Sequence, residues 1–278
     1  MSAPPQPVAG AVRRWERVVW QAHIVRVLAG TQFKLRYADS VLGYFWSLAR
    51  PLALFAILYA VFGRALRFDG VVENYALFLL LGIVLFYFFS DATSRTLISI
   101  VEQGPLLRRV AFPRLIVPFS VTETAFLTFA MNLVAITAFL AWRRITPEVE
   151  WLLLVPLFVE LNIFVLGVSL LLATLYVRFR DIAVIWELAL RVCFYSLAII
   201  YPVQLLPSWA EKAVLVVPFA QVMQDVRAVI LPGSDVVTIA DVLGGPTARL
   251  IPIGVSLALF ALSVLIFRRE EPWFAEKV

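Results

Sequence analysis

Hydrophobic residues in this chain run in long blocks, not in the alternation of a half-buried strand. Blocks of about 20 apolar residues match the hydrocarbon thickness of a bilayer. Six are readable, over roughly 44–66, 74–97, 115–142, 152–176, 183–204 and 250–267. Each is read as a helix, because a segment crossing lipid must satisfy its own backbone hydrogen bonds. The pattern predicts an all-α polytopic membrane protein with a six-span domain over 44–267. A flexible tail (1–12), a cytoplasmic segment (13–43) and a cytoplasmic C-terminal tail (268–278) flank it.

Two segments depart from this pattern. Over 13–37, Trp15, Val18, Val19, Ala22, Val25 and Ala29 recur at three- and four-residue spacing, while Arg13, Arg17 and Gln21 share another side. A basic, moderately apolar, Trp-bearing helix of this kind lies in the membrane interface; a plain N-terminal arm is the alternative. Residues 205–249 are apolar but broken, first at Pro207, then in AEKAVLVVPFAQVM and VRAVILPG. Apolar pieces of about 10–14 residues suit re-entrant or interfacial helices, and such backbone is tolerated at depth where protein or a wet cavity surrounds it. The segment 205–249 is therefore a candidate external gate, the alternative being a loop resting on the surface.

Orientation follows from the basic residues. One side collects 15 of the 24 Lys and Arg: Arg13, Arg14, Arg17, Arg26, Lys34, Arg36, Arg95, Arg108, Arg109, Arg114, Arg178, Arg180, Arg268, Arg269 and Lys277. The other side holds 7, namely Arg64, Arg67, Arg143, Arg144, Lys212, Arg227 and Arg249, and Arg50 and Arg191 fall inside spans. Both termini are expected in the cytoplasm. The composition agrees: 62% of the 278 residues are hydrophobic and 15% charged, against about a quarter charged in soluble domains. The formal charge of +5 is read as attraction to the anionic membrane face, not to nucleic acid, because the charges flank the apolar blocks.

Several chemistries are excluded. Cys193 and His23 stand alone in their residue types, so there is no internal disulfide and no Cys/His metal cluster. None of Lys34, Lys212 and Lys277 follows a glycine, so the phosphate loop G-x-x-x-x-G-K-[ST] cannot occur. ATP, if used, must be bound by another polypeptide. Neither H-E-x-x-H nor G-x-S-x-G occurs, nor does an Asp-x-Asp for a sugar-nucleotide metal. No catalytic residue is assigned, and the chain reads as no enzyme.

Candidate functional residues remain. In the loop EQGPLLRRVAFPR (102–114), breakers at Gly104-Pro105 and Pro113 bracket a short helix with Leu106, Leu107 and Val110 apolar and Arg108 and Arg109 charged. It can dock on a partner or simply serve the positive-inside rule. Asp91, Glu123, Glu160, Glu187 and Arg191 are ionisable residues within spans, which tend to face a bundle interior or a wet cavity. Asp91–Arg95 and Glu187–Arg191 have the favourable i, i+4 order and are read as local pairs. Glu123 and Glu160 have no such partner and could contact a polar substrate or another helix. The run Phe86, Tyr87, Phe88, Phe89 covers all sides of a helix, so at least one ring faces the interior. Aromatic faces stack on sugars, although most rings in membrane helices meet lipid.

The string KLRYADSVLGYFWSLARP (34–51) resembles the start of the membrane subunit in bacterial ABC exporters of cell-surface polysaccharides. The matching residues are Arg36, Tyr37, Ser40, Leu42, Gly43, Trp46 and Pro51. LLRRVAFPRLIVP (106–118), YVRFRDI (176–182) and the C-terminal REEPWFAEKV are similar to further family motifs, at topologically consistent places. That family handles lipid-linked O-antigen, cell-wall galactan, teichoic acid and capsule. The resemblance implies a homodimer of permeases above two copies of a separate ABC ATPase, which would hold ATP and Mg. No cofactor is implied on this chain. It further implies a coupling helix over 104–113, carrying Phe112 and Pro113, a cytoplasmic entrance at Leu42 and Gly43, and short external gate helices over 208–231. Arg36 and Tyr37 become candidate contacts to a lipid pyrophosphate, an anion that Arg can bind bidentately. Phe86, Tyr87, Phe89, Glu123 and Glu160 become channel candidates. A drug-exporting permease and a membrane enzyme acting on polyprenyl phosphates are the competing readings. Replacing Arg108 and Arg109 by Glu is expected to uncouple ATPase stimulation from transport; unchanged export by that variant would remove the docking role.

Overall fold

The computed structural model describes residues 14–38, 43–70, 72–104, 113–231 and 236–274. Those residues form helices and connecting turns, with no strand among them. The long helices are α1 (Arg14–Ala38), α2 (Gly43–Leu58, continued by a wider π turn over Tyr59–Ala65), α3 (Tyr75–Glu102), α4 (Ile116–Trp142) and α5 (Leu154–Arg178). They are followed by α6 (Ile182–Ser196), α7 (Ser208–Val216), α8 (Pro218–Ile230), the short α9 (Ile239–Leu243) and α10 (Leu250–Glu270).

Five of these are long and apolar enough to cross a membrane: Phe45–Ala65, Tyr75–Glu102, Ile116–Trp142, Val149–Arg178 and Pro246–Glu270. They coincide with the first, second, third, fourth and sixth predicted spans. Their burial differs sharply: 83% of the most apolar window of α3 is enclosed by protein, against 6% for α2. A helix apolar all round, as α3 is, belongs at the centre of a bundle. Here α4, α5, α6 and α8 surround it, and its Leu77–Leu81 run is wholly buried. The crossing of α5 and α10 is made close by Gly167, where a Cβ would stand 3.0 Å from the Phe260 backbone nitrogen. Small residues permit such approach in apolar surroundings, where packing drives helix association.

The fifth predicted span, 183–204, departs from expectation. Its helix α6 has 15 residues and so rises only about 22 Å, short of the ~30 Å hydrocarbon core. Beyond Ser196 the chain turns irregular, with Ala198 in a left-handed conformation at φ 54°. The predicted gate helices follow as α7 and α8, bent by 95° at Val217-Pro218. Proline lacks the N–H that would continue α7 and suits the first position of α8.

Why α6 can stop inside apolar surroundings is explained by α8. Arg227 is fully buried. Its Nε donates to the Phe78 carbonyl at 3.1 Å, Nη1 to that of Ala198 at 3.1 Å and Nη2 to that of Ile199 at 2.7 Å. The Tyr75 hydroxyl donates to the next carbonyl, Ile200, at 2.7 Å. Three consecutive carbonyls released by the broken helix are thus satisfied by side chains, as a low-dielectric interior demands. The guanidinium also stacks 3.5 Å from the Phe78 ring centroid, a cation–π contact strengthened by desolvation. Gly82 makes room for it, since a Cβ there would collide with Nη2. Arg227→Ala should lower stability by about 3 kcal/mol or more, because each orphaned buried acceptor costs about 1–3 kcal/mol. Thermal unfolding of the variant in mild detergent reads this, and Gly82→Leu should fall the same way; an unaltered melting temperature for Arg227→Ala would contradict the assignment.

Candidate functional site

Four helices enclose a polar cavity of about 380 Å³ at the C-terminal end of α1. Arg36 reaches in from α1, Gly43, Trp46, Ser47 and Arg50 from the first turns of α2, and Tyr87, Phe88, Asp91 and Arg95 from α3. Thr128, Phe129 and Asn132 of α4 complete the wall. Residues 87, 91 and 95 share one face of α3 because i and i+4 stack on a helix. On α2 the i, i+3 and i+4 relations of 43, 46, 47 and 50 do the same.

Charge in the cavity is unbalanced. Asp91 accepts from Arg36 Nη1 at 3.1 Å and from Arg95 Nε on its own helix. Arg36 also donates to the Thr128 hydroxyl at 3.0 Å, which ties α1 to both α3 and α4. Arg50 is exposed and forms no ion pair among the described residues. Among the described residues, three guanidiniums stand against one carboxylate in the lining, a formal excess of two positive charges. Asn132 Oδ1 is buried there with no partner among the described residues. Trp46, half exposed, and Tyr87 set aromatic faces beside these cations. The combination suits an anion attached to something with an apolar or sugar face: guanidinium forks bind phosphate oxygens, and rings stack.

The structure therefore brings together Arg36, Gly43, Trp46, Tyr87, Phe88, Asp91 and Arg95 from among the residues singled out in the sequence. Leu42 lies outside the described residues, as does the Tyr37 side chain. Of the candidate docking loop, Pro105, Leu106, Leu107, Arg108, Arg109, Val110 and Phe112 also lie outside them. Its flanks are placed: Gly104 is buried at the end of α3, and Pro113 leads into α4. Arg114 donates to the Glu271 carbonyl, and its backbone N–H meets Glu271 Oε1 at 3.3 Å. The motif after the loop is thereby clamped to the C-terminal segment, whose Phe274 packs on Phe267.

The other candidates are dispersed. Phe86 and Phe89 are buried in the core of the chain, where Phe86 contacts Phe194 and Phe219, and Phe89 contacts Phe164, Trp186 and Phe219. Glu123 meets another helix: Asn162 Nδ2 of α5 donates to its Oε1 at 3.1 Å. Glu160 lines a different cavity beside α8. Arg50 and Asn132 were not singled out from the sequence as site residues. For Arg50 a signal existed, since an arginine one residue before Pro51 is a charge within an apolar block, with no acidic residue beside it. Nothing local marks Asn132.

The family model described as ABC-2 type transporter matches residues 24–231. The O-antigen export system permease protein RfbA of Klebsiella pneumoniae is 29% identical over 209 residues, covering 75% of this chain and 80% of that protein. The protein of the same name from Myxococcus xanthus is 25% identical over 258 residues, 90% of this chain and 94% of the relative. The polysialic acid transport protein KpsM of Escherichia coli is 24% identical over 213 residues, 75% and 81% of the two chains. The family match spans the cationic cavity, the candidate docking loop and the bent α7–α8 pair, and the chain belongs to the ABC-2 type transporter family.

Proposed function

We propose that this chain is the permease subunit of an ATP-driven exporter that carries a lipid-linked polysaccharide across the cytoplasmic membrane. The observation that carries this reading is the cationic, aromatic-edged cavity between α1, α2, α3 and α4. A polyprenyl-pyrophosphate presents an anion between a sugar chain and an apolar tail, and the cavity offers a counterpart to each part. Relatives named for O-antigen and polysialic acid transport support the same substrate class. With both termini in the cytoplasm, as the basic residues favour, the cavity opens toward the side where ATP is available.

Two copies of the chain would form the path. On α6, Val184, Ile185, Leu188, Val192 and Tyr195 are exposed, and the Glu187–Arg191 pair stands on the same outward side, each side chain about two-thirds exposed. A charged pair on an apolar face is costly in lipid and is better placed against water or protein. The sparsely covered α2 supplies a second such face. A polymer channel between copies would give both faces suitable surroundings.

Coupling would run along α3. This single helix of 28 residues carries Asp91 and Arg95 into the cavity and ends at the Gly104 flank of the candidate docking loop. Force applied there by an ABC ATPase, two copies of which would supply ATP and Mg, shifts the charged face of α3 relative to Arg36 and Arg50. The head group then exchanges its guanidinium partners and the lipid moves on.

Arg50→Glu should cut export at least tenfold, with lipid-linked precursor accumulating, since a charge-assisted hydrogen bond is worth about 1.5–3 kcal/mol. Arg50→Lys should retain part of it. The assay is surface polymer per cell, at matched permease level and with the co-purifying ATPase verified. Normal export by Arg50→Glu would remove the head-group role, and a purified complex without an ATPase would remove the exporter reading.

A further inference from the structure

We infer that a second cavity, sharing no lining residue with the first, binds the head of a membrane amphiphile that carries a primary ammonium. This cavity, of about 580 Å³, lies between the start of α5, the α8 helix and the start of α10. Its polar floor consists of Glu160 from α5, Gln221 and Asp225 from α8, and Arg249 and Ser256 at α10. Its walls are apolar, with Val155, Val159, Ile163, Ile253 and Leu257 among them.

The floor is unevenly satisfied. Asp225 is occupied: Arg249 Nη2 donates to Oδ1 at 3.0 Å, Arg249 Nε to Oδ2 at 3.1 Å, and Gln221 Nε2 to Oδ2 at 2.6 Å. Three buried atoms have no partner among the described residues: Glu160 Oε1, Gln221 Oε1 and Ser256 Oγ. Gln221 and Ser256 are themselves almost wholly buried, at 1% exposure each. An amide oxygen accepts only, an ionised carboxylate accepts only, and a serine hydroxyl can accept. Buried acceptors without donors are costly, so the site is incomplete as it stands.

What completes it is set by count and charge. Two carboxylates and one guanidinium leave a formal charge of minus one on the floor. A ligand group with several donors and a positive charge fits, and an –NH₃⁺ group presents three donors to three free acceptors. The route is set by the walls. Val155, Val159 and Leu257 are exposed on helices of spanning length, so the mouth opens into apolar surroundings. An amphiphile can lay its chains there while its head reaches the floor. Arg249, whose side chain is 40% exposed, stands where an adjoining phosphate would lie. An aminophospholipid of the ethanolamine type combines these features. A choline lipid lacks the donors, and a glycerol lipid has hydroxyl donors but no positive charge. Occupation would brace α8, and with it Arg227, against α5 and α10.

The test is native mass spectrometry of the full-length protein. It is released from vesicles of equimolar phosphatidylethanolamine, phosphatidylcholine and phosphatidylglycerol, and the retained lipid is read. Phosphatidylethanolamine should be retained about tenfold over each of the others, the scale of one charge-assisted hydrogen bond. Glu160→Gln, isosteric but uncharged, should lose most of that preference at an unchanged melting temperature. Val159→Trp, which plugs the exposed mouth without touching the floor, should lose it too, and it decides the matter if Glu160→Gln proves unstable. Equal retention of phosphatidylcholine, equal retention of phosphatidylglycerol, or full preference in Val159→Trp would each overturn the assignment.

Discussion

One guanidinium organises the interior of this protein. Arg227 binds the carbonyls of Phe78, Ala198 and Ile199, and so joins three elements distant in sequence: the start of α3, the end of α6, and α8. Without such a donor the chain could not leave helical geometry at Ser196, because bare carbonyls are not tolerated where water cannot reach them. The broken α6 and the glycine at position 82 both fit that arrangement. An arginine suits the task better than a lysine because its fork reaches several acceptors in fixed geometry and its flat face lies on Phe78.

The two cavities stand on opposite electrostatic footings. Among the described residues, the first has more cation than anion and leaves Arg50 without an ion pair. The second has more unpartnered acceptors than donors. Both are built the same way, by charged side chains projecting from helices whose other faces are apolar, and both face surfaces that the single chain leaves uncovered. The α3 helix forms the hub, and α2 and α6 turn apolar faces outward. Arg36 adds a further link by pinning the N-terminal helix to α3 through Asp91 and to α4 through Thr128.

Much was legible along the chain. Five of the six predicted spans recur with ends shifted by a few residues, since a run of about 20 apolar residues has one stable form in lipid. The i, i+4 pairs Asp91–Arg95 and Glu187–Arg191 recur because their spacing alone makes them neighbours. Pro207 and Gly104-Pro105 announced breaks that are local in origin, whereas the piece AEKAVLVVPFAQVM, read as unbroken, is divided at Pro218. The sites were legible only in part. Arg36, Gly43 and Tyr87 meet in one cavity, yet they come from three helices whose mutual rotation no local pattern contains.

What the sequence by itself determined is therefore the class of protein, the number of long apolar segments to within one, the missing nucleotide-binding loop and the places where helices must end. These depend on composition, spacing and backbone chemistry, which act within a few turns. The tertiary structure alone decided that Arg227, counted by sequence among loop charges, is the buried clasp of the bundle. It alone showed that α6 stops short, that Glu123 is taken by Asn162, and that among the described residues Glu160 Oε1 has no partner and Arg50 no ion pair. The reason is physical: in a uniformly apolar helix every face looks alike to the sequence, and only packing decides which polar group finds a partner.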